Sequence, residues 1–167
     1  MATPAHIRAE DYLHMTFEHD AEFVRGEIVE RYGTDLTHST IQLRVLLRFG
    51  SLMDSCGLCP RPELRLKLAP DVYRIPDVCV FVGEPEQLIP DTPPLVAIEI
   101  LCRDDRYSAL VQKLDEYHKW GVPNIWLIDP IGKRLTVYAG KGFRNVPSFS
   151  LPEYSFQLTP AELFENL

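Results

Sequence analysis

The chain has 167 residues, 46% of them hydrophobic and 25% charged, with a formal net charge of −7 at pH 7. These fractions are ordinary for a globular protein, and the length suits one domain able to bury a core without disulfides or a structural metal. The acidic balance excludes a protein that coats nucleic acid by bulk electrostatics, although twelve of the seventeen basic residues are arginine, which suits a local grip on phosphates.

In chain order, Ile7 to His14 is expected to form a short helix, and Ala21 to Arg31 a hairpin turning tightly at Arg25-Gly26. Thr37 to Asp54 carries Ile41, Val45, Leu46, Phe49, Leu52 and Met53 at roughly helical period. Asp35 or Thr37 would be its N-cap and Gly57 lies beyond its end. Leu64, Leu66 and Leu68 alternate with Arg65 and Lys67, as in a half-exposed strand. Val78 to Val82 and Leu95 to Leu101 lack alternation and are predicted to be central strands covered on both faces, joined by the proline-rich loop Pro85 to Pro94. Tyr107 to Trp120 reads as a second long helix with an apolar stripe at Leu110, Leu114 and Tyr117, stopped by Gly121. Asn124 to Asp129 and Lys133 to Ala139 form a strand pair, and Phe143 to Phe156 adds weaker strands. Thr159-Pro160-Ala161-Glu162 opens a capped terminal helix. The layout is α/β (α+β), one domain over 1–167, with a mixed central sheet flanked by helices.

No apolar run approaches the roughly 18 residues that span a bilayer, and the first residues lack a charged leader followed by an apolar stretch. A cytoplasmic location with no membrane partner is therefore expected. Cys56, Cys59, Cys79 and Cys102 read as reduced thiols. Cys56 and Cys59 resemble half of a zinc site that nothing completes, and Cys79 and Cys102 read as small core residues. Arg61, Arg65, Lys67 and Arg74 form one basic segment, and Arg103 with Arg106 another. The apolar residues from Phe143 to Phe164 exceed what a short tail needs for its own packing, and on that ground a homodimer is expected.

Glu99 interrupts the buried run Leu95 to Leu101, and an ionised side chain there costs several kcal/mol unless something pairs with it. Leu95, Ala97, Glu99 and Leu101 share one strand face, with Glu99 near the C-terminal end, where open α/β sheets place their ligands. Asp77 stands at the mouth of the other apolar run. If the two strands are antiparallel neighbours, both carboxylates reach one hard cation, Mg2+ or Mn2+. Otherwise Asp77 caps a turn after Pro76 and Glu99 pairs with an arginine such as Arg74. Lys113 borders the apolar stripe of its helix, from where its stem can carry the amine toward Glu99 or, alternatively, pair outward with Asp115 or Glu116. Two acids and an amine in this arrangement suit phosphodiester chemistry.

The segments 22–29 (Glu-Phe-Val-Arg-Gly-Glu-Ile-Val), His38, Pro76-Asp77-Val78, 96–101 (Val-Ala-Ile-Glu-Ile-Leu), Lys113-Leu114-Asp115-Glu116-Tyr117 and 121–130 (Gly-Val-Pro-Asn-Ile-Trp-Leu-Ile-Asp-Pro) occur in an order and spacing that resemble the Uma family of restriction endonucleases. That family lies within the PD-(D/E)XK, restriction-endonuclease-like nucleases, and the likeness runs over about residues 18–140. It implies a restriction-endonuclease-like core and a metal-dependent endonuclease acting on DNA. Asp77 and Glu99 would hold Mg2+ or Mn2+, and Lys113 would replace the strand lysine, whose position is Leu101 here. Glu22 or Glu27 matches acidic positions of the first hairpin and would add a ligand through water. His38 matches the pattern too, but equally suits a first-turn histidine satisfied by a carbonyl, and stays outside the catalytic set. Where the family usually continues from the glutamate strand into Ser-Pro-Ser, this chain has Cys102-Arg103-Asp104-Asp105. The alternative reading is a non-catalytic protein of the same fold acting as a binding or assembly module, which the acidic balance also suits.

Overall fold

Helix α1 (Ala9–His14) precedes a hairpin of β1 (Ala21–Val24) and β2 (Glu27–Glu30), in a computed structural model that describes residues 7–31, 34–103 and 105–167. The hairpin turn puts Arg25 at φ 50° and Gly26 at φ 91°, the doubly left-handed geometry that matches strand twist. Asp104, part of the segment that departs from the family pattern, lies outside the described residues. Helix α2 (Leu36–Gly50) is capped by Asp35, whose side chain accepts from the His38 backbone N–H at 2.9 Å. The expected single helix to Asp54 instead breaks after Gly50, and α3 (Met53–Cys56) follows as a separate turn ended by Gly57. Gly50 is a poor helix former, and the Ser51 hydroxyl donates to the Arg48 carbonyl at 2.8 Å, so the backbone has a competing local bond at the break.

Strands β3 (Leu58–Pro62), β4 (Leu66–Ala69), β5 (Val72–Arg74), β6 (Val78–Val82) and β7 (Val96–Ile100) lead into α4 (Tyr107–Trp120). Then come β8 (Asn124–Asp129), β9 (Arg134–Tyr138), β10 (Phe143–Val146), β11 (Phe149–Leu151), β12 (Phe156–Leu158) and α5 (Pro160–Phe164). The central sheet has six strands in the order β10-β9-β8-β7-β6-β3, mixed because β7 and β8 run parallel across the α4 crossover while every other pair is antiparallel. Strand β3 is not among the expected elements, and it contains Pro60 and Pro62, which cannot donate to a ladder. It lies at the sheet edge, where a missing N–H is tolerated. A second sheet, β2-β1-β5-β4, carries the hairpin against the first.

The alternation in β7 separates two cores. Val96, Ile98 and Ile100 join Ile41, Val45 and Phe49 of α2, whereas Ala97 joins Leu114 and Tyr117 of α4. The α2 side is closed by the C-terminal segment: Trp126 stacks on Phe149 with ring centroids 4.4 Å apart, and Phe49 on Phe156 at 4.1 Å. Phe149, Leu151, Phe156, Leu158, Leu163 and Phe164 are thus buried within the chain, which removes the ground for inferring a homodimer from them. Thr159 and Glu162 form the reciprocal capping box that starts α5.

Candidate functional site

Strands β6 and β7 are antiparallel with Val78 opposite Ile98, so the residues just before and after that pair, Asp77 and Glu99, come side by side on the sheet face that α4 covers. Lys113 reaches them from α4. Its ammonium lies 3.0 Å from Glu99 Oε2, 2.8 Å from Glu22 Oε1 and 2.9 Å from the Ile75 carbonyl. Glu22 arrives from β1 of the smaller sheet and also accepts from the Ile75 N–H at 2.8 Å and from Arg74 at 2.7 Å. The structure therefore brings Asp77, Glu99, Lys113 and Glu22 together. Glu27 is exposed at the hairpin turn and does not line this cleft, which corrects its expected place as a further ligand.

Three carboxylates are almost wholly buried here, Glu22 at 3%, Asp77 at 4% and Glu99 at 7% exposure, lining a cleft of about 540 Å³ with Arg31, His38, Arg74, Asp105 and Arg106. Each has internal donors. Asp77 accepts from the Ile100 N–H at 2.7 Å and from Arg31 at 2.6 Å, and His38 Nε2 lies 3.2 Å from it. The Gln42 side chain donates to the Asp77 carbonyl at 2.9 Å. Glu99 accepts from the Tyr117 hydroxyl at 2.8 Å. Arg74 bridges Glu22 and Glu116, and Arg25 holds the other Glu116 oxygen at 2.9 Å.

The charges follow from this geometry. Burial pushes the Glu99 carboxyl up, and the nearby Asp77 and Glu22 carboxylates add to it against the opposing pull of Lys113, leaving it at about 7. For Asp77, burial also acts upward, but the His38 hydrogen bond and the charges of His38, Lys113 and Arg31 outweigh it and hold the carboxyl below its ordinary range. Glu22 is likewise held low, because Lys113 and Arg74 overcome its burial. Burial would discharge Lys113, yet Glu22, Glu99 and Asp77 together raise it above the ordinary lysine value, so the amine stays protonated.

The alternative partners named from the sequence are not used. Arg74 binds Glu22 and Glu116 rather than Glu99, and it is Lys119, not Lys113, that pairs with Asp115. Arg61 and Arg65 of the first basic segment are bonded to Glu84 and Asp20, so they present no continuous basic face. Cys102 lines the cleft, half-buried, rather than filling the core, while Cys79 is fully buried as expected. All four cysteines are free thiols.

Sequence reasoning missed Arg31, Tyr117 and the place of His38 in this cluster. A tyrosine inside a buried helical stripe needs a partner for its hydroxyl, and Tyr117 stands four residues after Lys113, so that signal was available. Arg31 gives none, since its partner Asp77 lies far along the chain.

A mixed six-stranded sheet flanked by helices and by a smaller sheet, with two acids on antiparallel neighbours and a helix-borne lysine, defines an α+β protein. The fold is similar to that of the crystal structure of a protein described as a "putative nuclease belonging to DUF820" from Anabaena variabilis ATCC 29413. The TM-score is 0.82 at 23% identity, covering 95% of this chain and 97% of that one. A family model, Uma2, described as "Putative restriction endonuclease", matches residues 9–160, and the chain belongs to that family. No match was found among curated proteins. Among the described residues, no helix is long and apolar enough to cross a membrane.

Proposed function

We propose that the protein is a divalent-metal-dependent endonuclease hydrolysing DNA phosphodiester bonds, with Asp77 and Glu99 holding Mg2+ or Mn2+ and Lys113 as the catalytic cation. The observation that carries this reading is the convergence of Asp77, Glu99 and the Lys113 ammonium in one cleft of about 540 Å³. The donor set fits such an ion. Two carboxylate oxygens, with water and substrate phosphate completing the shell, are the usual protein contribution to Mg2+. Among the described residues, no group of three or more His, Cys, Asp or Glu is arranged to hold a metal by itself. Glu99 is raised to about 7, first by burial and then by its acidic neighbours, so a cation beside it would favour its ionised form. The buried Nδ1 of His38, in the wall of the same cleft, has no hydrogen-bond partner among the described residues.

Bound there, the ion would supply positive charge to the scissile phosphate and acidify the attacking water. The chain's own residues do the rest. Lys113, kept protonated and fixed by Glu22, Glu99 and the Ile75 carbonyl, holds a positive charge where negative charge develops on the phosphate oxygens. Glu22 positions Lys113, with Arg74 bracing Glu22 in turn, and Tyr117 orients the Glu99 carboxylate. Arg31, at the lip beside Asp77, is placed to meet an incoming phosphate.

One observation favours a second reading, a non-catalytic nuclease-fold module. Every one of these carboxylates is already bonded to internal donors, so the cluster is compensated without an ion. Plasmid nicking in Mg2+ or Mn2+ separates the two. Catalysis requires cleavage by the wild type and its loss in Asp77→Asn, Glu99→Gln and Lys113→Ala. Cleavage that persists in all three variants, or is equal in EDTA, refutes the assignment, and a wild type that neither nicks DNA nor takes up Mn2+ in calorimetry leaves the module reading in possession.

A further inference from the structure

A second cleft of about 420 Å³ opens beside the carboxylate site and shares Cys102, Asp105 and Leu110 with it. Its floor follows from strand register. Glu99 pairs with Leu127, Leu127 with Thr136, and Thr136 with Asn145, so one row of side chains crosses the sheet from the site to the β10 edge, roughly 14 Å at the usual strand spacing. Along this row stand two aromatic side chains that the fold leaves at least partly open, Phe143 also packing on Tyr138 with ring centroids 5.2 Å apart. Tyr107 in the first turn of α4 is 70% exposed and Phe143 on β10 is 36% exposed, their ring centroids 6.1 Å apart. Arg103 and Arg134 line the same cleft. Its two acids are engaged: Asp129 accepts from Arg134 at 2.7 Å and from the Gly132 N–H, and Asp105 accepts from the Cys102 N–H. Thr136 donates to Asn145 at 2.9 Å, which leaves the Asn145 amide hydrogens to face outward.

The geometry points to a base-stacking subsite, in which an unpaired nucleotide of the substrate strand near the scissile phosphate lies on Tyr107 and Phe143 with its phosphate against Arg103. This rests on the nuclease reading above for the position of the scissile phosphate. Two features select nucleic acid as the occupant: aromatic faces beside the Arg103 guanidinium complement a base and its phosphate, and the cleft is continuous with the site where a phosphodiester would be held. Aromatic faces bind bases of any sequence, because every base has a π-face. The subsite therefore favours a strand with an exposed base, such as a single strand, a frayed end or a flap, over a closed duplex.

The test uses the full chain in EDTA, where no cutting occurs, and two fluorescein-labelled probes: a short thymidine oligonucleotide and an abasic strand of the same length. Fluorescence anisotropy is expected to show tighter binding of the thymidine strand by the wild type. Tyr107→Ala or Phe143→Ala should weaken it by about tenfold while leaving the abasic strand unchanged, and Tyr107→Phe should retain it. Melting curves of the variants guard against a folding defect. Equal losses on both probes, no loss, or no binding of either probe by the wild type overturns the subsite. Plasmid nicking distinguishes the two proposals: a Tyr107→Ala protein that binds and cuts as the wild type does refutes the subsite and spares the nuclease, whereas base-dependent binding without metal-dependent cutting refutes the nuclease and spares the subsite.

Discussion

Replacing Glu99 by Gln is expected to stabilise the metal-free protein, and to do so more strongly as the pH rises. The folded carboxyl sits at about 7 against an ordinary 4.5, so between those values the folded state holds a proton that the unfolded chain has released. Stability therefore falls as pH rises through this window and levels off above it. At 1.36 kcal/mol per pH unit, the ionised carboxylate costs the fold about 3 kcal/mol at pH 8 and about 1 kcal/mol at pH 5. The amide escapes this cost. Lys113 is not stranded by the change, because Glu22 and the Ile75 carbonyl still accept from it. What the amide loses is one acceptor for either Lys113 or the Tyr117 hydroxyl, worth about 1 kcal/mol. The net expectation is a gain of about 2 kcal/mol at pH 8 that has vanished at pH 5. Urea melts of both proteins in EDTA at half-unit intervals would measure it. A Glu99→Gln protein destabilised by the same amount at every pH, or increasingly so toward pH 8, would show that Glu99 is a net stabilising ion-pair partner and refute the reasoning.

Lys113→Ala should cost on the order of 3–5 kcal/mol, since it leaves Glu22 and Glu99 buried without their shared cation; a urea midpoint close to the wild type's would count against that. Millimolar Mn2+ should raise the melting temperature of the wild type but not of Asp77→Asn, because an ion that binds only the folded state stabilises it by mass action; equal shifts in both would put the metal elsewhere. Phe156→Ala should destabilise the fold by about 3–5 kcal/mol, as it empties the contact with Phe49 that seats the C-terminal segment; calorimetric melting with an unchanged midpoint would show that segment to be dispensable.

Local signals in the sequence carried far. The helix Tyr107–Trp120 and the strand Asn124–Asp129 occur at their predicted bounds, because the stop at Gly121 and an unbroken apolar run each report on the element that contains them. The Arg25-Gly26 turn and the Thr159 cap were legible for the same reason. The family resemblance is borne out by the Uma2 match. Features set by distant partners were hidden. Strand β3 looks like a loop until its place at the sheet edge makes Pro60 and Pro62 harmless. The apolar tail looks like an interface until Trp126 and Phe49 are found beneath it. In the cleft, the acids and the lysine stand out because each breaks an apolar pattern, whereas Arg31 and His38 sit in polar surroundings and break none.

The cleft is a seam between two sheets. Glu22 and Arg74 belong to the smaller sheet, Asp77 leads into the larger one and Glu99 lies within it, and Lys113 on α4 is bonded to Glu22 and Glu99 at once. Its charged members come from segments as far apart as Glu22 and Lys113, so closing their contacts incurs the loop entropy of most of the chain and belongs late in folding. A chain that has formed β7, α4 and β8, which are contiguous, possesses Glu99 and Lys113 but not the residues that hold the lysine in place. The assembled cleft should then return after secondary structure when the denatured protein is refolded, with the docking of the small sheet as the step that separates them.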